Sequence, residues 1–254
     1  MNIEVKESNL ELKSDASIKS AFRDFLKKSL EYRSGFLQSE YNIAFDGYSF
    51  MGQQDSLNQY DSDMLHSFVL SDFQEVENFP KEFYEFLYGE WNSILEFVKA
   101  AEIKLVAKIN NPILSELYAS DVMGYMMSCN YYPKTNDCSQ VAKNQTRLSA
   151  HKDVSLFTTF PYGISEGLSF ENSAGLKVEV GNKKKVFSFP GYFMEYVTGN
   201  KISGLIHQVE LPKRLDTERF SFALFSMPKP NSTLTIDGKE MYSEDYYKEY
   251  LQLF

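Results

Sequence analysis

A mainly β fold, a sandwich or barrel flanked by α-helices, is the class this sequence predicts, and three observations predict it. From Met123 onward the chain breaks into short apolar runs of period two, separated by turn residues such as Gly181-Asn182 and Gly199-Asn200. Before Met123 the apolar residues recur at helical spacing instead. The composition, 43% hydrophobic and 15% aromatic with 21 Phe and 17 Tyr in 254 residues, supports one large domain with a buried core and argues against disorder.

The elements follow in order. Ile18, Phe22, Phe25, Leu26 and Leu30 form one helical stripe, with Ser14 or Asp15 as N-cap. A second helix is signalled by Asn78 as cap, Pro80 in the first turn, and Phe83, Leu87, Trp91, Ile94, Leu95 and Val98 on one side. A third starts at Asn111-Pro112. Between the first two, Gly47 to Asp63 is rich in Gly, Gln, Asp and Asn and reads as an ordered loop over a pocket. The strands expected are Met123–Tyr132, Val154–Phe160, Gly175–Val180, Lys185–Phe189, Tyr192–Thr198, Gly204–Leu211 and Arg219–Met227. Leu168 and Phe170 can pair with Leu176 and Val178 across the Glu171-Asn172 turn to add an eighth. The expected organisation is a single domain over 1–254: a mainly helical part to 122 that includes the covering loop 47–63, a β core over 123–228, and a C-terminal extension over 229–254.

A formal charge of −9 repels phosphate backbones, and the one dense basic run, Lys183-Lys184-Lys185, reads as a solvated hairpin tip, so nucleic acid is not an expected partner. No apolar run reaches the ~18 residues of a membrane span, and Met1 to Asp15 is too polar for a secretory signal, so a cytoplasmic protein is expected. Cys129 and Cys138 lack metal-ligand spacing and read as buried or loop thiols, with one bridge between them left open.

The chain has three histidines, His66, His151 and His207. In Ser149-Ala150-His151-Lys152-Asp153-Val154, positions i and i+2 of a strand share a face, so His151 and Asp153 can grip one ion. His207, more than fifty residues on, suits a third ligand from another strand. Two imidazoles and one carboxylate leave coordination positions open, as non-haem iron(II) requires for a co-substrate and dioxygen, whereas zinc favours a closed tetrahedral shell. An isolated His-x-Asp is more often a surface strand with an ion pair, and His66 has no partner spacing, so a structural or surface role is expected for it.

Arg219 and Ser221 form another i, i+2 pair, followed on the same face by Ala223 and Phe225. A guanidinium aimed into a barrel needs an anion, and its fork reads a carboxylate with two parallel charge-assisted hydrogen bonds. Asn130 and Tyr132 share a face at the end of the first strand, which Pro133 terminates.

Taken together, Asn130-Tyr131-Tyr132-Pro133-Lys134, His151-Lys152-Asp153-Val154-Ser155, Gly191, Gly199-Asn200-Lys201, His207, Arg219-Phe220-Ser221, Phe225 and Pro228 resemble one family in order and spacing. It is the isopenicillin N synthase-like group of iron(II)/2-oxoglutarate-dependent dioxygenases, and the resemblance covers about 100 residues. It implies a double-stranded β-helix, or jelly-roll, core with N-terminal helices. It also implies iron(II) on His151, Asp153 and His207, the distal carboxylate of 2-oxoglutarate on Arg219 and Ser221, and Asn130 and Tyr132 near the metal-bound end. Phe225 matches a position that contacts the organic substrate in some members. Where the family often has Asp after the glycine, this chain has Tyr192, and it is shorter than the typical plant members of that family, which include the flavonoid oxygenases, chiefly before Asn130.

The activity so implied consumes dioxygen and 2-oxoglutarate, releases succinate and carbon dioxide, and hydroxylates, desaturates or cyclises a small-molecule metabolite. Asp153 argues against halogenation, for which the carboxylate is replaced by Gly or Ala. Phe157, Tyr192 and Phe225, with Arg147 and Tyr125, are candidates for the substrate wall, although each type is common in a barrel core. An oxidase that dispenses with 2-oxoglutarate remains an alternative within enzymes, separable by succinate release. A non-catalytic small-molecule-binding module is the alternative from another class, separable by anaerobic iron(II) binding. No obligate protein partner is evident.

Overall fold

The computed structural model describes residues 6–7, 13–38, 45–50, 64–134, 146–171, 175–181, 184–211 and 216–253. Its strands in chain order are β1 (Lys6–Glu7), β2 (Gly47–Ser49), β3 (His66–Ser71), β4 (Met123–Tyr132), β5 (Leu148–His151), β6 (Phe157–Phe160), β7 (Leu168–Glu171), β8 (Lys177–Glu179), β9 (Phe187–Pro190), β10 (His207–Val209), β11 (Arg219–Pro228), β12 (Thr233–Ile236) and β13 (Lys239–Tyr242).

One sheet has the order β1-β9-β6-β11-β4-β3-β2 and a second the order β5-β10-β7-β8, all pairs antiparallel. Eight strands, β4 to β11, therefore place β9-β6-β11-β4 in one sheet and β5-β10-β7-β8 in the other, and the chain repeatedly passes between the two. That ordering is the double-stranded β-helix. Its long central pair is β4 and β11, in register from Arg219↔Tyr132 to Pro228↔Met123.

The period of two decides what each of these strands does. Met126, Ser128, Asn130 and Tyr132 on β4, and Arg219, Ser221, Ala223 and Phe225 on β11, line an inner cavity. The alternate residues Tyr125, Met127, Cys129, Phe222 and Leu224 pack outward into a second core with Ile18, Phe22 and Phe25 of the helix Ala16–Leu26. Cys129 is a buried free thiol there, its pKa raised by burial; Cys138 lies outside the described residues.

Several expectations are corrected. Tyr192–Thr198 is not a strand but the α-helix Tyr192–Val197, because Phe193, Met194 and Val197 must all face the core and only a helix puts i, i+1 and i+4 there. The region 47–63 is not all loop, since Gly47–Ser49 is β2; residues 51–63 lie outside the described residues. The mainly helical N-terminal part also supplies β3, whose run Ser67–Ser71 is wholly buried. Leu30 leaves the first helix and opens a separate one, Leu30–Ser34, capped by Ser29. The second helical run starts at Lys81, after Pro80 rather than Asn78, and passes through a π turn at Leu87–Trp91 before the α-helix Asn92–Ile109. The third helix, Pro112–Ala119, is as expected, with Asn111 Oδ1 accepting from the N–H of Ile113 at 2.9 Å.

The C-terminal segment is part of the core. After the β12–β13 hairpin, the helix Ser243–Leu251 buries Tyr246, Tyr247 and Tyr250 against the same cluster as Phe157, Phe189 and Phe193. No helix among the described residues is long and apolar enough to cross a membrane.

Candidate metal centre and anion site

His151 ends β5 and His207 opens β10, and the two are directly paired across the small sheet. Their rings lie 4.4 Å apart between centroids. Asp153 reaches the same place from just beyond the end of β5, not from within it, so the shared strand face expected for His151 and Asp153 is replaced by a turn that folds the carboxylate back. Asp153 Oδ1 is 3.2 Å from His151 Nε2, and Oδ2 is 3.5 Å from His207 Nε2. Mutually cis ligands at about 2.1 Å from one ion would stand about 3 Å apart, so these spacings fit a single cation.

The tautomers point the same way. His151 Nδ1 lies 2.7 Å from the Ser149 carbonyl and His207 Nδ1 3.2 Å from the Leu205 carbonyl. A carbonyl only accepts, so each Nδ1 carries the proton and each Nε2 of a neutral ring presents a lone pair towards Asp153. Burial drives the His207 pKa down to about 4, with Asp153 opposing, so at neutral pH His207 is the neutral ligand form. Burial also works against the Asp153 charge, but positive charge at His207 and His151, with the Thr158 hydroxyl, outweighs it and holds the carboxyl below its ordinary range, and a cation between neutral rings would do the same. Two such lone pairs and a carboxylate facing one another inside the protein form a ligand set that a cation at their centre would complete. Among the described residues this is the one His/Cys/Asp/Glu group with such geometry.

The support around the triad comes from residues to which the sequence assigned no such role. Thr158 Oγ1 donates to Asp153 Oδ2 at 2.6 Å and pairs with Ser155 Oγ at 2.7 Å. Gly191 passes so close that an added Cβ would stand 2.4 Å from the Ser155 carbonyl oxygen, and one on Gly204 would stand 2.8 Å from the Gly191 carbonyl oxygen. This backbone stack lets Tyr192 N–H donate to Asp153 O at 2.7 Å and Leu205 N–H to Pro190 O at 2.9 Å, tying both ligand arms together. Glu195 adds a clamp, accepting from Lys152 Nζ at 2.7 Å and from Gly204 N–H at 2.8 Å. From the C-terminal helix, Tyr250 donates to Lys152 O at 2.9 Å and Tyr246 to Val154 O.

The same cavity continues to Arg219, which is 7% exposed. Its Nε donates to the Glu166 carbonyl at 3.2 Å, while Nη1 is buried with no hydrogen-bond partner. The Tyr132 ring lies 4.8 Å from the guanidinium carbon. An orphaned buried donor on a cation is costly unless an anion completes it, and Ser221 and Asn130 line the cavity beside it. The donor set therefore fits a carboxylate at one end and a metal at the other.

Of the expected substrate residues, Phe225 lines this cavity. Phe157 packs in the core instead, and Tyr192 stacks on Tyr246 with its hydroxyl on Glu249. Tyr125 faces outward and donates to Glu102 at 3.0 Å, because it occupies the alternate face of β4 from Asn130. Arg147 lies outside the lining, 5.6 Å from the Tyr132 ring. The wall is instead completed by Leu65, Ser67, Met126, Ser128, Val154, Phe160, Leu168 and Tyr250. Met126 and Ser128 were accessible by extending the Asn130/Tyr132 face backwards; no signal marked Tyr250. His66 is structural, its Nδ1 2.9 Å from the Tyr48 hydroxyl and its pKa lowered to about 4 by burial first and Arg33 second.

Fold and site together define a double-stranded β-helix with a His-x-Asp…His face at one end of its cavity and a buried arginine at the other. Among solved structures it is similar to a full-length Neurospora crassa protein in complex with alpha-KG, with a TM-score of 0.72 at 19% identity over 98% of this chain and 85% of that one. JOX2 in complex with 2OG, Fe and JA aligns with a TM-score of 0.73 at 15% identity, covering 97% and 77%. The rice dioxygenase for auxin oxidation aligns with a TM-score of 0.66 at 16% identity, covering 94% and 81%. No family model and no curated protein matches the chain. At these identities the likeness is one of fold.

Proposed function

We propose that this protein is an iron(II)- and 2-oxoglutarate-dependent oxygenase that oxidises a small molecule, most simply by hydroxylation, with release of succinate and carbon dioxide. The observation that carries the reading is the pairing, in one cavity, of three converging metal-ligand atoms with a buried guanidinium whose Nη1 has no partner. The fold neighbours solved with alpha-KG, or with 2OG and Fe, support it. His151, Asp153 and His207 would hold the iron, and Arg219 with Ser221 would hold the far carboxylate of 2-oxoglutarate, with Asn130 and Tyr132 alongside. Iron(II) with this co-substrate supplies the activation of dioxygen.

The chain's own residues do the rest. The Thr158 hydroxyl and the two backbone carbonyls fix the ligand orientations, so that little reorganises when a charge enters. Leu65, Met126, Val154, Phe160, Leu168 and Phe225 give the cavity an apolar wall that excludes water from the reacting centre. Ser67, Ser128 and Tyr250 add polar atoms on that wall, suited to a small substrate of mixed polarity. The Neurospora crassa protein has been solved with thymine and with 5-formyluracil, which are ligands of that kind.

The test is anaerobic titration with iron(II), followed by succinate measurement over a panel of small metabolites. One iron per chain is expected, with 2-oxoglutarate turnover, and His207→Ala should lose both. Iron-independent activity, or wild-type activity in His207→Ala, would overturn the reading.

A further inference from the structure

A second guanidinium is buried close to the first. Arg147 is 5% exposed, and it immediately precedes β5, the strand that ends on His151. Its N–H donates to Val209 O at 2.9 Å and its Nη2 to Thr217 O at 3.1 Å, so the side chain is fixed from both ends. Its guanidinium carbon lies 5.6 Å from the Tyr132 ring, the ring that Arg219 also approaches at 4.8 Å. Neither arginine has a carboxylate ion pair among the described residues. Two like charges buried against one tyrosine repel each other, and an anion beside them would relieve that repulsion.

Two places could hold it. One is the second cavity, which Arg147 lines together with Arg219 and Ser221; six carboxylates line that space against four basic groups, including Glu166, Glu179 and Glu210, so it does not attract an anion. The other is the metal-centre cavity, where the acidic group among the lining residues is Asp153, a ligand already committed to the cation.

We infer that Arg147 is a positioning residue for the co-substrate: its charge, held beside the same Tyr132 ring as Arg219, adds a second positive field at the Arg219 carboxylate site and makes that site selective for a 2-oxo dicarboxylate. This rests on the function proposed above. The geometry is consistent along the strand, since Arg147 stands four residues from His151, about 13 Å at strand rise. Of the two arginines, Arg219 lines the metal-centre cavity itself and Arg147 stands outside that lining, beside the Tyr132 ring they share.

The experiment is anaerobic calorimetric titration of the iron(II)-loaded protein with two ligands, 2-oxoglutarate and 2-oxopentanoate, which carries a methyl in place of the distal carboxylate. Arg147→Gln should weaken 2-oxoglutarate about ten- to twenty-fold, the order expected of one unit charge roughly 10 Å away at an effective dielectric near 20. It should leave 2-oxopentanoate within about twofold, and Arg147→Lys should restore most of the loss, as retained charge predicts. Equal loss for both ligands, or none, overturns the inference, because a merely structural role does not distinguish them. The wild type gives a reading that needs no variant. One charge-assisted contact accounts for about ten- to a hundred-fold preference for the dicarboxylate, so a preference below about tenfold also overturns it. If the wild type binds neither ligand in a metal-dependent way, the proposed function itself fails. Binding that Arg147→Gln leaves unaltered removes only the arginine pair.

Discussion

Thr158 shows how much of the candidate site depends on a residue that would bind neither metal nor substrate. Its hydroxyl is fully buried, donates to Asp153 Oδ2 at 2.6 Å, and is itself paired with Ser155. A charge-assisted hydrogen bond of this length orients the carboxylate and stabilises its ionised form. Thr158→Val keeps the shape and removes the donor. Iron(II) affinity should fall about ten- to a hundred-fold, measured by competition with a chelator, while the circular dichroism spectrum stays unchanged. Wild-type affinity would mean that Asp153 is oriented by the metal alone. The neighbouring ligands carry their own orientation, since each imidazole is fixed by a carbonyl two residues before it on the chain.

At the scale of elements, the helix Tyr192–Val197 and the turn after β5 form one unit. The N–H groups of Tyr192 and Phe193, left without partners in any helix start, donate to Asp153 O and Ser155 O at 2.7 and 3.0 Å. Only a glycine at 191 lets the two segments approach this closely. Gly191→Ala should cost about 1–3 kcal/mol by forced separation, read as a lower urea midpoint. It should also lower iron affinity, because the displaced segment carries Asp153. An alanine variant with unchanged midpoint and iron affinity would show that the turn relaxes freely. The misread strand at 192–198 has the same root: Tyr192, Met194 and Tyr196 alternate as in a strand, and their aromatic content favours one, yet the helix is selected by what it packs against.

Among the described residues of the whole molecule, Glu102 and Asp46 are buried carboxyls with no ion pair. Glu102, on the helix Asn92–Ile109, has its Oε2 held by Tyr118 and Tyr125 at 2.7 and 3.0 Å, and burial raises its pKa to about 7 against those hydrogen bonds. Asp46 is likewise raised to about 7 by burial, against hydrogen bonds from Ser71 and Gln74. In both the folded pKa exceeds the unfolded one, so the folded state holds a proton that the unfolded state has released. Their contribution is fully present only below the unfolded values of 3.8 for Asp46 and 4.5 for Glu102, and it is lost as pH rises through about 7. Glu102→Gln removes the ionisation and keeps an acceptor for both tyrosines. The variant should gain on the wild type between pH 5 and 8, by about 1–3 kcal/mol, in urea unfolding at the two pH values. Parallel pH dependence of the two proteins would show that Glu102 is not protonated in the fold.

What the sequence determined by itself is what local periodicity and chemistry encode. The alternation in Met123–Tyr132 and Arg219–Met227 set both the strands and the shared faces of Asn130 with Tyr132 and of Arg219 with Ser221 and Phe225, because side-chain direction in a strand depends on parity, while the family resemblance, not parity, pointed those faces at a cavity. Scarcity of histidine and the His-x-Asp spacing, together with the motifs of the family resemblance around them, singled out His151, Asp153 and His207. The tertiary structure alone decided which of the remaining aromatics reach the cavity. Tyr125 differs from Met126 by one residue and faces the opposite core, and Phe157 and Tyr192 are spent on packing. Thr158, Gly191, Glu195, Tyr246 and Tyr250 acquire their roles only when segments distant in sequence close on the turn at 152–155. Those contacts are non-local, and a hydroxyl or a glycine has no periodicity that announces the neighbour it will meet.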